Sequence, residues 1–233
     1  MKLLCSLVIP LYNENDNISL ILKNAENFLK LGHELVLVNN GSYDNTKKTL
    51  KNLVYQTNIK VITIDENKGF GYGVYVGLKE SKNFVIAYTH GDLQCDINDV
   101  VKGLEKIKSK NYLIKGKRVG RKFYDIIFTK LMSFFCIFLF RKNLTDIHAQ
   151  PNIFNQSLLK YFKNPPDDFS LDTYIYLLSK KYKYDINRFE TNFEDRKYGN
   201  GSNDKLYQKF LTSFKEILSL LRLKGNNDIY NQS

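Results

Sequence analysis

Four short apolar runs recur in the first hundred residues, at 3–9, 34–38, 60–65 and 84–89, with helix-like stretches between them. Continuous apolar segments of this length read as strands buried on both faces. The stretch 17–31 carries Ile18, Ile21, Leu22, Ala25, Phe28 and Leu29 at helical spacing, and Gly32 stops it. Asp44 or Asn45 can cap a helix running to about Tyr55. Residues 69–81 and 97–108 complete the alternation. Strand–helix repetition of this kind predicts an α/β fold, a mostly parallel sheet with helices on both faces.

Two polar clusters fall where such strands end. Asn39-Asn40-Gly41-Ser42-Tyr43-Asp44 follows the second run, and His90-Gly91-Asp92-Leu93-Gln94-Cys95-Asp96 follows the fourth. Open α/β sheets bind ligands beyond the carboxyl ends of their strands. Asn amides can read both donor and acceptor edges of a pyrimidine, and Gly41 lets backbone approach a ligand. Asp92 can supply one carboxylate to Mg²⁺ or Mn²⁺, and Gln94 or Asp96 a second oxygen. His90 can ligate Mn²⁺ but suits Mg²⁺ poorly. Asp96 is also a helix cap. Together the clusters describe a pocket for a nucleotide diphosphate and its metal. Pro10-Leu11-Tyr12-Asn13-Glu14 ends the first strand at the same edge. Asn67-Lys68-Gly69-Phe70-Gly71-Tyr72-Gly73 is spaced G-x-G-x-G after the third strand. It is therefore not a dinucleotide fingerprint, though backbone approach to a ligand beside Lys68 remains reasonable.

After Lys110 the pattern loosens. A short strand at 112–116 precedes a long apolar helix at 123–140 and a loop at 145–151. Residues 169–181 read as helix, 184–193 as extended, 205–223 as a terminal helix and 226–233 as a frayed tail. The helix at 123–140 is too short in its clean part to span a bilayer. Arg118, Arg121 and Lys122 flank one end, and Arg141 and Lys142 the other. That suits a helix lying in a membrane interface; a core or dimer helix is the alternative. We expect one domain over 1–225.

The net charge of +11 is uneven: residues 1–100 sum to −1 and residues 101–233 to +12. A basic second half suits a phosphate-bearing or anionic-membrane partner. A solvated basic face explains it equally. No helix-turn-helix, zinc-finger or RNP-type signature supports nucleic acid. Cys5, Cys95 and Cys136 are scattered and odd in number, which argues against a disulfide framework. With no signal-peptide pattern, the cytoplasm fits best.

Four blocks carry a resemblance: Val8-Ile9-Pro10-Leu11-Tyr12-Asn13-Glu14, Val38-Asn39-Asn40-Gly41-Ser42-Tyr43-Asp44, Asn67-Lys68-Gly69, and Gly91-Asp92-Leu93-Gln94-Cys95-Asp96. In this order the chain resembles a family 2 glycosyltransferase of the GT-A fold, in its dolichyl- or polyprenyl-phosphate branch. Weaker echoes are Gly116-Lys117-Arg118, Asp146 and the run Arg196-Lys197-Tyr198-Gly199-Asn200-Gly201-Ser202. The resemblance implies inverting transfer of a sugar from a nucleotide diphosphate donor to a lipid phosphate. Residues 1–118 would form the donor half and 119–225 the acceptor or membrane side. Pro10, Tyr12, Glu14, Asn39, Asn40, Ser42, Lys68, Gly69 and Gly91 would hold the nucleotide sugar. Asp92, Gln94 and His90 would hold Mn²⁺ or Mg²⁺. Asp92 and Arg118 would be catalytic, and Arg118, Arg121, Arg196 and Ser202 would hold the acceptor phosphate.

The chain departs from the family where Asn39 and Asn40 replace two acids, where His90 replaces the first Asp of an Asp-x-Asp, and in Ile147-His148-Ala149-Gln150-Pro151. Two other readings follow. A glycan hydroxyl acceptor would need a carboxylate base, for which Asp172 is the candidate, a solvent-facing helix acid being its alternative. The lost acids would also suit a non-catalytic nucleotide-binding homologue. The oligomeric state is left open.

Overall fold

The computed structural model describes residues 3–53, 56–121, 123–193 and 206–230. Its elements run β1 (Cys5–Leu11), α1 (Ile18–Lys30), β2 (Glu34–Asn40), α2 (Thr46–Lys51), β3 (Ile59–Ile64), α3 (Phe70–Lys79), β4 (Val85–Tyr88) and α4 (Asn98–Leu104). Then come β5 (Tyr112–Val119), α5 (Phe123–Phe140), β6 (Asn152–Asn155), α6 (Leu171–Lys181), β7 (Asp185–Asn192), α7 (Leu206–Lys224) and α8 (Asn227–Tyr230). One seven-stranded sheet has the order β3-β2-β1-β4-β6-β5-β7. Strands β3, β2, β1 and β4 are mutually parallel, as are β5 and β7. The α/β architecture is the one the alternation predicts.

Side chains of each strand alternate between two cores. Leu7 and Ile9 of β1 and Leu35 and Leu37 of β2 face the side packed with Ile21 and Phe28 of α1. Val8, Val36 and Val38 face the other side, with Val74 and Leu78 of α3 and Leu177 of α6. Burial on both faces explains why these strands are uninterrupted apolar runs.

The strand β6 is not foreseen by the sequence reading. It pairs antiparallel with both β4 and β5, Phe154 opposite Ile86 and Leu113. Four residues with only Ile153 and Phe154 apolar give no local strand signal; β6 exists because its neighbours lack a partner. The 226–233 tail also needs correction at its start. Residues 227–230 form α8, and the buried Asp228 carboxylate accepts hydrogen bonds from Lys163 N (3.1 Å), Asn164 N (2.7 Å) and Tyr174 Oη (2.6 Å). Helix α5 has a buried and an exposed face, the first in keeping with a core helix. Cys136, Leu139 and Phe140 are in the core, whereas Ile127, Leu131, Phe134 and Phe138 are exposed.

Helix α3 lies close on β1 and β2 because Gly77 has no side chain. A Cβ there would stand 2.3 Å from Val8 Cγ1 and 2.9 Å from Val38 Cγ2. Alanine gains about 1 kcal/mol of helix propensity over glycine, but overpacking a closed core costs about 1–3 kcal/mol. Gly77→Ala should therefore lower the unfolding free energy by up to about 2 kcal/mol in urea. A variant more stable than the wild type by the helix-propensity gain of about 1 kcal/mol would contradict this packing.

Candidate functional site

The loops after β1 and β2 are latched together. Asn13 N donates to Ser42 Oγ (3.0 Å), Tyr43 N to Asn13 Oδ1 (3.0 Å), and Glu14 N to Thr46 Oγ1 (3.0 Å). Asp44 accepts from Thr46 N (2.9 Å) and Asn15 N (3.3 Å), so it organises both loops. Tyr12 and Tyr43 meet edge to face at 5.9 Å, both exposed. Pro10, Tyr12, Glu14, Asn39 and Ser42 thus share one rim of the sheet. Asn39 Oδ1 caps Ser42 N (3.2 Å), and Asn40 Nδ2 donates to Gly69 O (2.9 Å). The buried Asn40 Oδ1 has no protein partner.

The glycines make close approaches within the chain itself. A Cβ on Gly41 would lie 2.2 Å from Asn67 N, and one on Gly69 2.3 Å from Asp167 O. At Gly71 it would meet Asp168 O and Pro166 O, each at 2.5 Å. The close backbone approaches are therefore to the chain's own segments at 66–67 and 166–168, and Tyr72 N seals the second by donating to Asp167 O (3.1 Å). Gly91 is likewise confined by Leu11, 2.5 Å from where its Cβ would be. Lys68 lies over the Tyr72 ring, 5.3 Å from its centroid.

Beyond β4 opens a cavity of about 700 Å³. His90, Asp92, Gln94 and Cys95 line its first wall, and Arg118, His148 and Gln150 the second. Asp168, Phe169 and Ser170 also line it, as do Lys215, Glu216, Leu218, Ser219 and Arg222 of α7. Asp92 is almost buried and accepts from Gln94 N (3.2 Å). Asp96 instead accepts from Asn98 N (2.9 Å), the capping role open to it. The His90 ring packs on Phe70 at 4.7 Å, and Phe70 stacks on Phe169 at 4.8 Å. Burial pushes the Cys95 thiol up to about 12, so it is a neutral thiol in the cavity wall near neutral pH.

Among the described residues no three His, Cys, Asp or Glu side chains converge on a metal position. A hard divalent cation can nevertheless take one or two carboxylates and complete its shell from substrate phosphates and water. Asp92 and Gln94 fit a cation that arrives with a diphosphate, rather than one caged by the protein.

The arginines expected to meet an acceptor phosphate face Asp146. Arg118 Nε donates to Asp146 Oδ1 at 3.0 Å and its Nη2 reaches the same oxygen; Arg121 Nη1 lies 3.5 Å away. Burial favours the neutral Asp146 acid, but the two guanidinium groups outweigh it and hold its carboxyl below the ordinary range. Arg118 lines the cavity; Arg121 is buried against Asp146 and Thr129 and does not. Arg196 and Ser202 lie outside the described residues.

Asp172 is not solvent-facing. It is fully buried, accepts from Tyr88 Oη, and lies 3.2 Å from His148 Nδ1. The other ring nitrogen of His148 meets Glu216 on α7. Asp172 thus stands behind His148, which is the group that reaches the cavity. Sequence reasoning missed His148, Gln150, Asp168 and the α7 residues. The departure at 147–151 was the available signal for the first two.

The sequence model of glycosyl transferase family 2 matches residues 6–162. The chain has the GT-A fold and belongs to that family. It is 32% identical over 114 residues to a dolichol-phosphate mannosyltransferase of Pyrococcus furiosus, spanning 48% of this chain and 32% of the relative. It spans about a third to a half of the length of the first such relatives it matches. It is 28% identical to a UDP-N-acetylglucosamine–dolichyl-phosphate N-acetylglucosaminyltransferase of Methanococcus voltae, over 94% of this chain and 95% of the relative. The glucosyl-3-phosphoglycerate synthase of Mycobacterium tuberculosis, solved with Mn²⁺, UDP-glucose and phosphoglyceric acid, superposes with a TM-score of 0.72. At 16% identity over 95% of this chain and 80% of that one, the likeness is of fold.

His148 offers a direct check of the cavity wall. Burial alone would lower its pKa, but Glu216 and Asp172 outweigh that and raise it from 6.5 to about 10. A raised folded value stabilises fully below the unfolded pKa, and the contribution is lost as pH rises through the folded one. His148→Gln should therefore melt below the wild type at pH 6.5, with the gap closing as pH approaches 10. A gap independent of pH would show that the ring is not held as a cation.

Proposed function

We propose that the protein is an inverting glycosyltransferase that moves a sugar from a nucleoside diphosphate donor to a polyprenyl-phosphate-type lipid. The observation that carries this reading is one continuous arrangement. The latched loops after β1 and β2 share a sheet edge with Asp92, and the cavity beyond Asp92 reaches α7, which packs on the exposed apolar helix α5. Family membership and the named relatives favour the same chemistry.

In this reading the nucleoside lies against Pro10, Tyr12 and Glu14, with Asn39, Asn40 and Ser42 beside it. The unpartnered Asn40 Oδ1 would accept a donor from the ligand. Lys68, Gly69 and Gly91 shape the nearby loops. Asp92, with Gln94 and His90 close by, would hold a Mn²⁺ or Mg²⁺ ion together with the donor diphosphate. When bound, that cation neutralises the departing diphosphate. Arg118 adds a guanidinium at the same wall, its orientation fixed by Asp146. A phosphate monoester is already largely ionised near neutral pH, its second pKa being about 6, so it needs no general base. Asp172, sealed behind His148, acts in this reading by positioning.

Two experiments test the reading. Nucleoside diphosphate with Mn²⁺ should raise the melting temperature, since a ligand bound only by the folded state stabilises it; UDP and GDP are the probes. Mn²⁺ alone should do much less. Asp92→Asn should remove the metal-dependent increment and reduce transfer on the order of a hundredfold. No shift with either nucleotide, or an unchanged Asp92→Asn variant, would refute the donor-site reading.

The second experiment concerns the membrane. Among the described residues no helix is long and apolar enough to cross one. Leu131, Phe134 and Phe138 form an exposed apolar stripe on α5, as a peripheral helix requires. Of the described flanking cations, Arg118 and Arg121 are engaged by Asp146, and Arg141 and Lys142 are exposed at the far end; Lys122 lies outside the described residues. Each such charge adds about 1 kcal/mol at an anionic surface. The protein should co-sediment with phosphatidylglycerol vesicles and be released by high salt or by Phe134→Ser with Phe138→Ser. Wild type remaining in the supernatant would count against membrane contact.

A further inference from the structure

Helix α7 presents two adjacent stripes. Lys215, Ser219 and Arg222 are spaced i, i+4, i+7 and all line the cavity. One position back around the helix, Phe214, Leu218 and Leu221 repeat the same spacing and are exposed. The side that anchors the helix carries the buried Leu220 and Leu223. A cationic stripe in the cavity therefore borders an apolar stripe on the surface.

The charges around the first stripe favour an anion. Lys215 and Arg222 are exposed side chains, and neither pairs with a carboxylate among the described residues. Glu216, the acid between them in the chain, is turned onto His148, whose other nitrogen faces Asp172. Asp168, which also lines the cavity, accepts from Ser170 N (2.8 Å) and Ser170 Oγ (2.6 Å). The nearest alternative cations, Arg118 and Arg121, are already bonded to Asp146. The unneutralised positive charge of the cavity thus sits on α7, with a hydroxyl between its two ends.

We infer that Lys215, Ser219 and Arg222 seat the phosphate monoester of an amphiphilic acceptor, whose hydrocarbon chain lies over Phe214, Leu218 and Leu221. The inference rests on the transferase reading above and names a part of the acceptor site that neither β5 nor the 118–121 segment provides. An ammonium, a hydroxyl and a guanidinium along one helix face match the oxygens of a phosphate head. The neighbouring apolar stripe matches only a head that carries a tail. An anionic bilayer surface shares that chemistry, and the test separates the two.

Farnesyl phosphate serves as a soluble acceptor, with a nucleotide sugar that the wild type is shown to bind. Lys215→Gln and Arg222→Gln should each raise the KM for farnesyl phosphate about tenfold or more, the loss typical of one charged hydrogen bond. Lys215→Arg should recover most of it, and Lys224→Gln, off the stripe, should not raise KM. Both stripe residues are exposed, so melting temperatures should stay close to wild type. Donor affinity, measured separately by titration, should be unchanged in all four variants. Inorganic phosphate should compete with farnesyl phosphate in the wild type and less in the glutamine variants. Unchanged KM in both glutamine variants would overturn the inference. So would a loss confined to phosphatidylglycerol vesicle binding, which would make the stripe a general membrane contact. A wild type that binds no donor would instead defeat the transferase reading itself, a result the titration reveals independently of KM.

Discussion

Asp172 is wholly buried, and a carboxylate so placed survives only where protein groups replace its lost water. Tyr88 from β4 and His148 from the segment before β6 do so, and Lys115 from β5 adds a favourable charge nearby. Burial pushes the Asp172 pKa up, but these partners outweigh it and hold the acid ionised. One side chain on α6 thereby fixes β4, β5 and the 147–151 segment relative to one another. Through His148 it also reaches Glu216, so the same charge holds α7 across the cavity. Removing one partner of such a buried pair leaves the other charge uncompensated, which is why the cavity wall behaves as a unit.

A second consequence follows from the placement of β6. Because β6 runs antiparallel between β4 and β5, the loop that precedes it returns to the carboxyl end of β4. His148 and Gln150 are delivered beside Asp92 by that reversal. The Gln150 carbonyl accepts from Cys95 Sγ (3.6 Å) and Thr191 Oγ1 (3.4 Å), joining the β4 loop to β7. The Gln150 side-chain amide in this wall is buried and without a protein partner. Such groups are rare in native interiors because each costs about 1–3 kcal/mol.

The strands β1, β2 and β4 were legible because each is buried on both faces and so wrote itself as an apolar run; β3, at the sheet edge, is only half-buried. The loops after β1, β2 and β4 were legible for the same reason: a polar cluster directly after such a run can only be at the sheet edge. What local pattern could not convey was partnership. Gly41, Gly69 and Gly71 look like ligand-facing glycines, yet their close neighbours are backbone at 66–67 and 166–168, distant in sequence. Asp172 follows Asp167, Asp168 and Ser170, a context that reads as surface, although α6 is buried from Leu171 to Ser179. Arg118 and Arg121 read as available cations until Asp146, some 25 residues later, is seen to claim both.

The same distinction explains the uneven charge. A surplus of lysine and arginine in the second half says little by itself, since most such residues are solvated. Their value depends on which acids the fold brings near them. Asp146 offsets the charge of Arg118 at the cavity wall and of Arg121 behind it, and His148 withdraws the acid that would otherwise stand between Lys215 and Arg222. The two pairings have opposite effects on neighbouring walls: one quiets a cationic edge at β5, the other exposes a cationic stripe on α7. The charge that the cavity presents therefore comes from pairings within the fold, and the net charge of the chain only makes it possible.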